Sequence, residues 1–332
     1  MLQATAYSVL DLAHAKVDAS YADAYARVVE AAQAAEDLGY RRFWLAEHHS
    51  MDGIGSSATS VLIGHIAGAT QTLRVGAGGI MLPNHAPMVV AEHFGTLEAL
   101  YPGRIDLGVG RAPGSDGATM RALRRELHSG VDDFPEQLAE LQYFLGEQQP
   151  GQKVFAVPGM SSQVPIWLLG SSLYSAQLAA RRGLPFAFAS HFAPRLMLEA
   201  LHLYRTGFEP SAVLDAPYAA IGVPVCAAPS DEQARYLHTT AQQSVLALLR
   251  GEHLRLRPPV ESMESLWTPQ EAAHISDFHG IAVVGGPETV RQKLQELKTL
   301  TGADEFIFAS NFFDQRDRLR SLELVALAMN GI

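Results

Sequence analysis

Short apolar runs alternate with longer amphipathic segments along most of the 332-residue chain. A run such as Phe43-Trp44-Leu45-Ala46 is too short for a helix and ends abruptly in charged residues, which is typical of a buried strand. The longer segments repeat apolar residues at helical spacing. One of them begins after Ser20, a residue type favoured as an N-cap, and ends at Gly39. The pattern therefore predicts strands and helices in regular alternation.

Eight such strands are predicted, each followed by a helix. They comprise residues 4–10, 43–46, 73–82, 104–109, 165–169, 186–189, 219–227 and 305–309. Eight units of this kind favour a closed parallel (β/α)8 TIM barrel over an open sheet. No linker rich in Pro, Gly or Ser divides the sequence, so we expect residues 1–332 to form a single domain. Residues 250–280, between the seventh and eighth strands, are predicted to be an irregular insertion and a candidate lid.

Composition excludes several classes of function. The net charge is −10, the pI is about 5.7, and no basic run stands out, which argues against nonspecific nucleic-acid binding. The single cysteine, Cys226, cannot form a disulfide within the chain and fits a reducing compartment. Residues 1–10 lack the features of a signal peptide, and no segment reaches the ~18 uninterrupted apolar residues of a membrane span. We expect a cytoplasmic protein that binds neither membrane nor nucleic acid.

The carboxyl ends of the predicted strands carry conspicuous polar residues, and in a TIM barrel these ends surround the active site. Arg111 follows the fourth strand, and Gly170-Ser171-Ser172 follows the fifth. A turn that opens a helix offers free N–H groups and hydroxyls to an anion, and an arginine adds a forked cationic donor. Together they predict a phosphate site. The alternative is that a serine only caps the helix and that Arg111 pairs with an acid such as Asp116.

The second strand ends in Glu47-His48-His49, and the third contains Gly78-Gly79. A histidine at a strand end can act as an acid or base near neutral pH, although a hydrogen-bonded structural histidine is an equal alternative. Adjacent side chains on a strand point to opposite faces, so we do not expect His48 and His49 to share a metal ion, and no Cys/His spacing resembles a zinc site. The two glycines indicate a bulge or close ligand approach, with tight packing as the alternative.

Several ordered segments resemble the bacterial luciferase-like flavin-dependent monooxygenases. They are residues 39–49, 75–83 and 102–111, with weaker similarity over 165–194 and 285–288. A bacterial subgroup of this family shares Leu-Pro-Asn-His (82–85), Gly-Arg-Ala-Pro-Gly-Ser-Asp (110–116) and Phe-Ala-Ser-His-Phe-Ala-Pro (188–194). The resemblance extends over nearly the whole chain, which makes it far more specific than an isolated glycine motif.

The resemblance implies a barrel that binds FMN in its mouth, usually as part of a homodimer. By motif, Arg111 would hold the flavin phosphate, and Ser172 and Ser175 would complete that site. Gly78-Gly79 falls where the family often has a non-proline cis peptide beside the isoalloxazine ring. Together with Glu47, these five residues are the expected cofactor contacts.

Two further residues gain roles from the resemblance. His48 matches the histidine that acts near the reactive carbon of the flavin, and Glu47 would help to shape the ring pocket. One position departs from the luciferases, which place a reactive cysteine next to the phosphate arginine where this chain has Gly110. Cys226 lies on another strand and cannot replace it, so we do not predict light emission.

The resemblance implies an enzyme that oxygenates a small organic substrate with reduced FMN and O2. The reduced flavin would come from a separate NAD(P)H:flavin reductase, since no dinucleotide-binding glycine fingerprint follows the first strand. Phe192 and residues 250–280 are candidates to line the substrate pocket, and the latter would close the mouth. His191 either faces the flavin or only braces a loop. The sequence does not identify the substrate.

Three other functions stay open at this point. One is an F420-dependent reductase or dehydrogenase, a chemistry also found in this fold family. Another is a non-enzymatic flavin-binding protein. The last sets the resemblance aside and takes the chain as a barrel hydrolase of a phosphorylated small molecule with His48 as its base, because fold by itself does not decide function.

Overall fold

The sheet consists of nine parallel strands within the residues that the structure, a computed structural model, describes: 2–112, 117–123 and 133–331. The strands are β1 (Ala6–Asp11), β2 (Arg42–Leu45), β3 (Arg74–Met81), β4 (Ile105–Gly110), β5 (Ile166–Gly170), β6 (Phe186–Phe188), β7 (Ala219–Ala227), β8 (Val283–Gly285) and β9 (Glu305–Ala309). Strands β1 to β7 pair in sequence order, and β9 closes the ring between β7 and β1. The predicted TIM barrel is confirmed. β8 is an extra strand on the end of β7.

Helices cover the outside of the barrel. They are α1 (Tyr21–Asp37), α2 (Thr59–Ala69), α3 (Pro87–Leu100), α4 (Gly117–Ala122), α5 (Phe134–Leu145), α6 (Leu173–Arg182), α7 (Met197–Thr206), α8 (Asp231–Arg250), α9 (Pro269–Phe278), α10 (Pro287–Thr301) and α11 (Gln315–Asn330). Ser20 caps α1 in a capping box with Asp23, and Gly39 follows the helix with φ of 77°, as the sequence predicts. In the described part of the chain, none of these helices combines the length and the apolar character needed to cross a bilayer.

The insertion between β7 and the last barrel strand is more regular than the sequence suggested. Residues 250–280 contain α9, which the sequence analysis missed. Thr268 and Glu271 form a capping box around its first turn, a signal that the sequence does contain. The preceding loop is fixed to the barrel, because Arg255 Nε lies 3.0 Å from Asp52 Oδ2. The insertion therefore combines an anchored loop with a helix.

A charged layer occupies the amino-terminal end of the barrel interior. Arg42, whose side chain is only 4% exposed, lies 2.7 Å from both Asp106 Oδ2 and Glu305 Oε1. Ser8 donates to Glu305, and Trp44 Nε1 donates to Asp106 over 3.1 Å. Burial by itself lowers the pKa of Arg42, but the two carboxylates raise it above its ordinary value. We call these five residues the barrel floor.

Apolar side chains fill the interior above the barrel floor. Trp44 extends from β2 and meets Trp167 of β5 edge to face, with ring centroids 5.1 Å apart. Leu10 and Ile307 pack in the same buried cluster. This layer separates the charges of the barrel floor from the open end, so the cavity at that end has an apolar base.

Candidate active site

A cavity of about 540 Å³ opens at the carboxyl ends of the strands. This is the end of a TIM barrel at which active sites are built. Six of the seven predicted site residues line it: His48, Gly78, Gly79, Arg111, Ser172 and Ser175. They come from strand ends and turns that are distant in sequence, and the closed barrel brings them to one space. Glu47 is the exception, because its side chain lies behind the cavity wall.

Arg111 and the first turn of α6 lie side by side. The guanidinium carbon of Arg111 stacks 4.3 Å from the ring centroid of Tyr174, which lies between Ser172 and Ser175 and was missed by the sequence analysis. Ser172 occupies the N-cap position without a capping hydrogen bond from its side chain, so capping does not use its hydroxyl. Among the described residues no carboxylate forms a salt bridge with Arg111, and Asp116, its alternative partner, lies outside them. A cation, hydroxyls and a helix N-terminus thus share one wall.

Glycines allow the close packing around this wall. A Cβ at Gly170 would lie 2.3 Å from Ser175 Oγ, so only glycine lets the serine approach the strand. Gly78-Gly79 forms a cis peptide, as the resemblance implied. A Cβ at Gly78 would lie 2.8 Å from Leu10 Cδ1, and one at Gly79 would lie 2.7 Å from the Gly108 carbonyl. The pairing of β3 with β4 shifts register at this point, which confirms the predicted bulge.

Glu47 holds this bulge from behind. Its carboxylate accepts hydrogen bonds from the Met81 N–H over 2.9 Å and from His49 Nε2 over 2.7 Å. His85 Nε2 lies 2.9 Å from the same carboxylate, and the backbone N–H of Glu47 donates to Gly79. Burial raises the pKa of Glu47, but His85 and the other donors outweigh it and bring the pKa below its ordinary value. Glu47 positions the cis peptide and does not contact the cavity.

The same cluster has the composition of a metal site. Ligand atoms of Glu47, His49 and His85 all lie within 4.8 Å of one another. The sequence analysis considered only the neighbours His48 and His49, and it missed His85, which the fold brings in from the segment after β3. Both imidazoles already hydrogen-bond to the carboxylate. The hydrogen bonds account for the cluster without an ion.

Two imidazoles face the cavity from different strands. His48 follows β2 and His191 follows β6, and the Nδ1 atom of each is buried without a hydrogen-bond partner. A Cβ at Gly222 would lie 2.2 Å from His191 Nδ1, so this glycine of β7 provides the space for the ring. Burial lowers the pKa of His48, and it lowers that of His191 to about 4 with a contribution from His48. Both rings are therefore neutral at pH 7, and His191 faces the cavity rather than only bracing a loop.

The opposite wall was predicted only in part. Phe192 and the insertion line the cavity, as expected, with His279 among the insertion's residues. Helix α8, which contributes His238 and Ala241, was not expected there. The helical period of α8 was readable, but nothing in the sequence shows which of its faces turns towards the mouth. Cys226 also reaches the cavity, where burial raises the pKa of its thiol to about 12. A thiol in this state is a poor nucleophile, consistent with the prediction that it does not replace the luciferase cysteine.

Arg111, the first turn of α6 and two imidazoles thus lie at the carboxyl-terminal face of the barrel, where TIM-barrel enzymes have their active sites. The model of the luciferase-like monooxygenase family matches residues 5–305. The chain belongs to this family and is an oxidoreductase of the monooxygenase class. Membership in this family sets the hydrolase alternative aside.

Several relatives align over nearly full length. The chain is 52% identical to Bacillus subtilis YvbT over 97% of its own length and 96% of that protein. It is 50% identical to a luciferase-like monooxygenase of Escherichia coli K12, with 96% and 95% coverage. It is 32% identical to the N-acetyl-S-alkylcysteine monooxygenase of Bacillus subtilis, with 97% of both chains covered.

Solved structures show the same barrel. Apo-MsnO8 is 35% identical and superimposes with a TM-score of 0.86 over 98% of both chains. The oxygenating constituent of a Pseudomonas putida 3,6-diketocamphane monooxygenase, in complex with FMN, is 17% identical with a TM-score of 0.73 over 97% of both chains. An F420-dependent secondary alcohol dehydrogenase is 16% identical with a TM-score of 0.65, over 98% of this chain and 99% of that one. The last two share only the fold, so they do not distinguish FMN from F420.

Proposed function

We propose that this protein is an FMN-dependent monooxygenase that uses reduced FMN and O2 to oxygenate a small organic substrate. The observation that carries the proposal is the juxtaposition of Arg111 with the first turn of α6. Arg111, Ser172 and Ser175 would hold the phosphate, aided by the helix N-terminus. Bound in reduced form, the flavin would activate O2 for transfer to the substrate.

The wall beside this anion site suits a flat ring. Gly78-Gly79 leaves the backbone of β3 bare of side chains where it lines the cavity, and Glu47 fixes that backbone from behind. The rings of His48 and His191 line the same space. The donor set of this mouth therefore fits FMN: Arg111 with the α6 turn for the phosphate at one end, and bare backbone with neutral imidazoles at the other.

A titration of wild-type protein and Arg111→Met with FMN, riboflavin and F420 tests the cofactor. We expect wild type to bind FMN more tightly than riboflavin, which lacks the phosphate. Loss of the charge-assisted hydrogen bonds, about 1.5–3 kcal/mol, would weaken FMN binding about 10- to 100-fold and leave riboflavin binding unchanged. Arg291→Met, which removes an exposed arginine, is the matched control. Equal FMN affinity in Arg111→Met, or a preference for F420, contradicts the proposal.

His48 is the proposed catalytic residue. Because burial lowers its pKa from 6.5, the ring is unprotonated at neutral pH and is set up to accept a proton. Once a substrate is known, kcat/KM should fall only below pH 6.5, as the ring takes up a proton. His48→Gln should remove that acid limb. A limb that persists unchanged in His48→Gln assigns the titration to another group.

A separate NAD(P)H:flavin reductase, a homodimer and a cytoplasmic location stay predictions from the sequence. The reductase is tested by measuring whether the purified protein oxidises NADH or NADPH with FMN. We expect no turnover until a flavin reductase is added. Light scattering of the purified protein tests the homodimer.

A further inference from the structure

The cavity has a second half that the proposed phosphate and ring contacts do not use. In the closed strand order, β3, β4 and β5 lie opposite β7, β9 and β1. Arg111 and the α6 turn belong to the first side, and α8 and the insertion rise from the second. We call the second half the distal pocket. Its apolar lining includes Met51, Ile54, Ala241, Val245, Leu254 and Phe278.

The distal pocket carries no fixed charge in the described residues. Its apolar side chains come from three parts of the chain: the loop after β2, helix α8 and the insertion. No carboxylate or lysine belongs to the described lining of the whole cavity, and Arg111 is its only arginine. A charged group in the distal pocket would therefore be desolvated without a partner, which is costly.

A pair of imidazoles lies in this pocket, and the lining on this side also includes the polar residues His14, Ser244, Ser310 and Asn311. The ring of His238 on α8 lies 4.7 Å from that of His279, which directly follows α9. The Nδ1 atom of His279 is buried and has no hydrogen-bond partner. Burial lowers the pKa of His238 to about 3 and that of His279 to about 4, so both are neutral at pH 7. The pair offers hydrogen bonds without a charge.

We propose that the distal pocket binds an uncharged, mainly hydrocarbon substrate whose one polar group hydrogen-bonds to His238 or His279, and that it excludes carboxylates. The reason is the juxtaposition of an apolar lining with the imidazole pair His238 and His279, and the absence of a described cation on this side of the cavity. This inference deepens the proposed function, since it names the substrate class for the same site.

Calorimetry on the wild-type protein saturated with oxidised FMN tests the class. The probes are 2-alkanones of six to twelve carbons and the alkanoates of equal length, at pH 8. We expect the Kd of the ketones to tighten about threefold to fourfold per methylene until the pocket is full, the change that burying one CH2 gives. The alkanoates should bind at least tenfold more weakly. Equal or tighter binding of alkanoates, or ketone affinity independent of chain length, overturns the proposal.

Two substitutions at Ala241, which lines the pocket from α8, locate the site. Ala241→Phe should fill the pocket and weaken ketone binding at least tenfold. Ala241→Arg should supply the missing cation and reverse the preference towards alkanoates. Gln242→Arg, the next position on α8 and outside the cavity lining, is the matched control and should change neither.

The FMN titration distinguishes failure of the substrate-pocket proposal from failure of the cofactor proposal. If the Ala241 variants bind FMN as wild type does and ketone binding is also unchanged, the distal pocket is not the substrate site although the cofactor proposal stands. If wild type does not bind FMN, the cofactor proposal fails, and the ketone series on the protein alone still tests the pocket. His238→Leu gives a finer test, because it should weaken ketones about threefold to tenfold, the range of one lost hydrogen bond.

Discussion

At the barrel floor, Arg42 lies 2.7 Å from each of two buried carboxylates, whereas at the mouth Arg111 stacks on Tyr174 with no described carboxylate beside it. Arg42 is the first residue of β2, and Arg111 directly follows β4. The first arginine completes a network within the protein. The second forms no ion pair with a described residue, which is why we propose that it binds a ligand. If that proposal holds, the two ends of one barrel use the same side chain for stability and for binding.

Histidines show the same contrast. His49 and His85 lie behind the wall and share the carboxylate of Glu47. His48 and His191 face the cavity, and each has a buried nitrogen without a partner. Buried polar groups are normally hydrogen-bonded, and His48 and His191 are exceptions that both belong to residues of the cavity lining. The predictions below test this distinction between polar groups that are hydrogen-bonded within the protein and groups that have no partner in it. They are given in order of decreasing effect.

Breaking the barrel floor should have the largest effect. Arg42→Met leaves Glu305 buried without its cation and leaves Asp106 with Arg74 alone, and we expect a loss of about 3–5 kcal/mol in the free energy of unfolding. Denaturant unfolding followed by circular dichroism measures it. Arg291→Met, which removes an exposed pair with Glu288, should cost under about 0.5 kcal/mol. If the two variants lost the same free energy of unfolding, the buried network would contribute no more to stability than an exposed ion pair does.

Neutralising Glu47, which holds the Gly78-Gly79 bulge from behind, should have an intermediate effect on stability. Glu47→Gln replaces one acceptor oxygen by a donor that faces His49, His85 or the Met81 N–H, and should cost about 1–3 kcal/mol. FMN affinity should fall as well, because Glu47 positions the Gly78-Gly79 cis peptide. Glu288→Gln, at an exposed position, is the control. A Glu47→Gln protein with wild-type stability and FMN affinity would contradict the positioning role.

Acidification should destabilise the mouth before the rest of the protein. Burial lowers the folded-state pKa of His14, His191 and His279 to about 4, so the unfolded chain, with a pKa near 6.5, binds protons that the folded state does not. Stability is full above pH 6.5 and falls as the pH drops towards 4. The Tm should therefore decrease between pH 7 and pH 5, where ordinary carboxylates are still ionised. In His279→Phe the Tm should fall less between pH 7 and pH 5. An unchanged fall in Tm would show that His279 does not contribute to it.

Removing the mouth arginine should have the smallest effect on stability. Because Arg111 has no described ion-pair partner to leave unpaired, Arg111→Met should change the free energy of unfolding by less than about 0.5 kcal/mol. Thermal unfolding without flavin measures this directly. A loss comparable to that of Arg42→Met would mean that Arg111 is structural, and the contrast between the two ends would be lost.

Local patterns were enough for most of the architecture. The alternation of apolar runs and amphipathic segments predicted the eight barrel strands, and Ser20 and Gly39 marked the ends of α1. The extra strand β8 and helix α9 were missed, although the capping box of α9 was readable from Thr268 and Glu271. Pro269, at the first position of α9, is a further helix-start signal. Three-residue strands such as β8 have no periodicity from which to predict them.

What the sequence determined by itself was the set of chemical groups at the strand ends, because in a parallel barrel every strand end meets the same mouth. Arg111, Ser172, Ser175 and His48 follow from that rule, together with the motifs of the family. Only the tertiary structure decided which of these groups contact each other: Glu47 turns away from the cavity to His85, and His238 packs against His279 on one wall. Such contacts join residues tens of positions apart, and their partners depend on helix rotation and on the packing of the closed barrel, which no local pattern encodes.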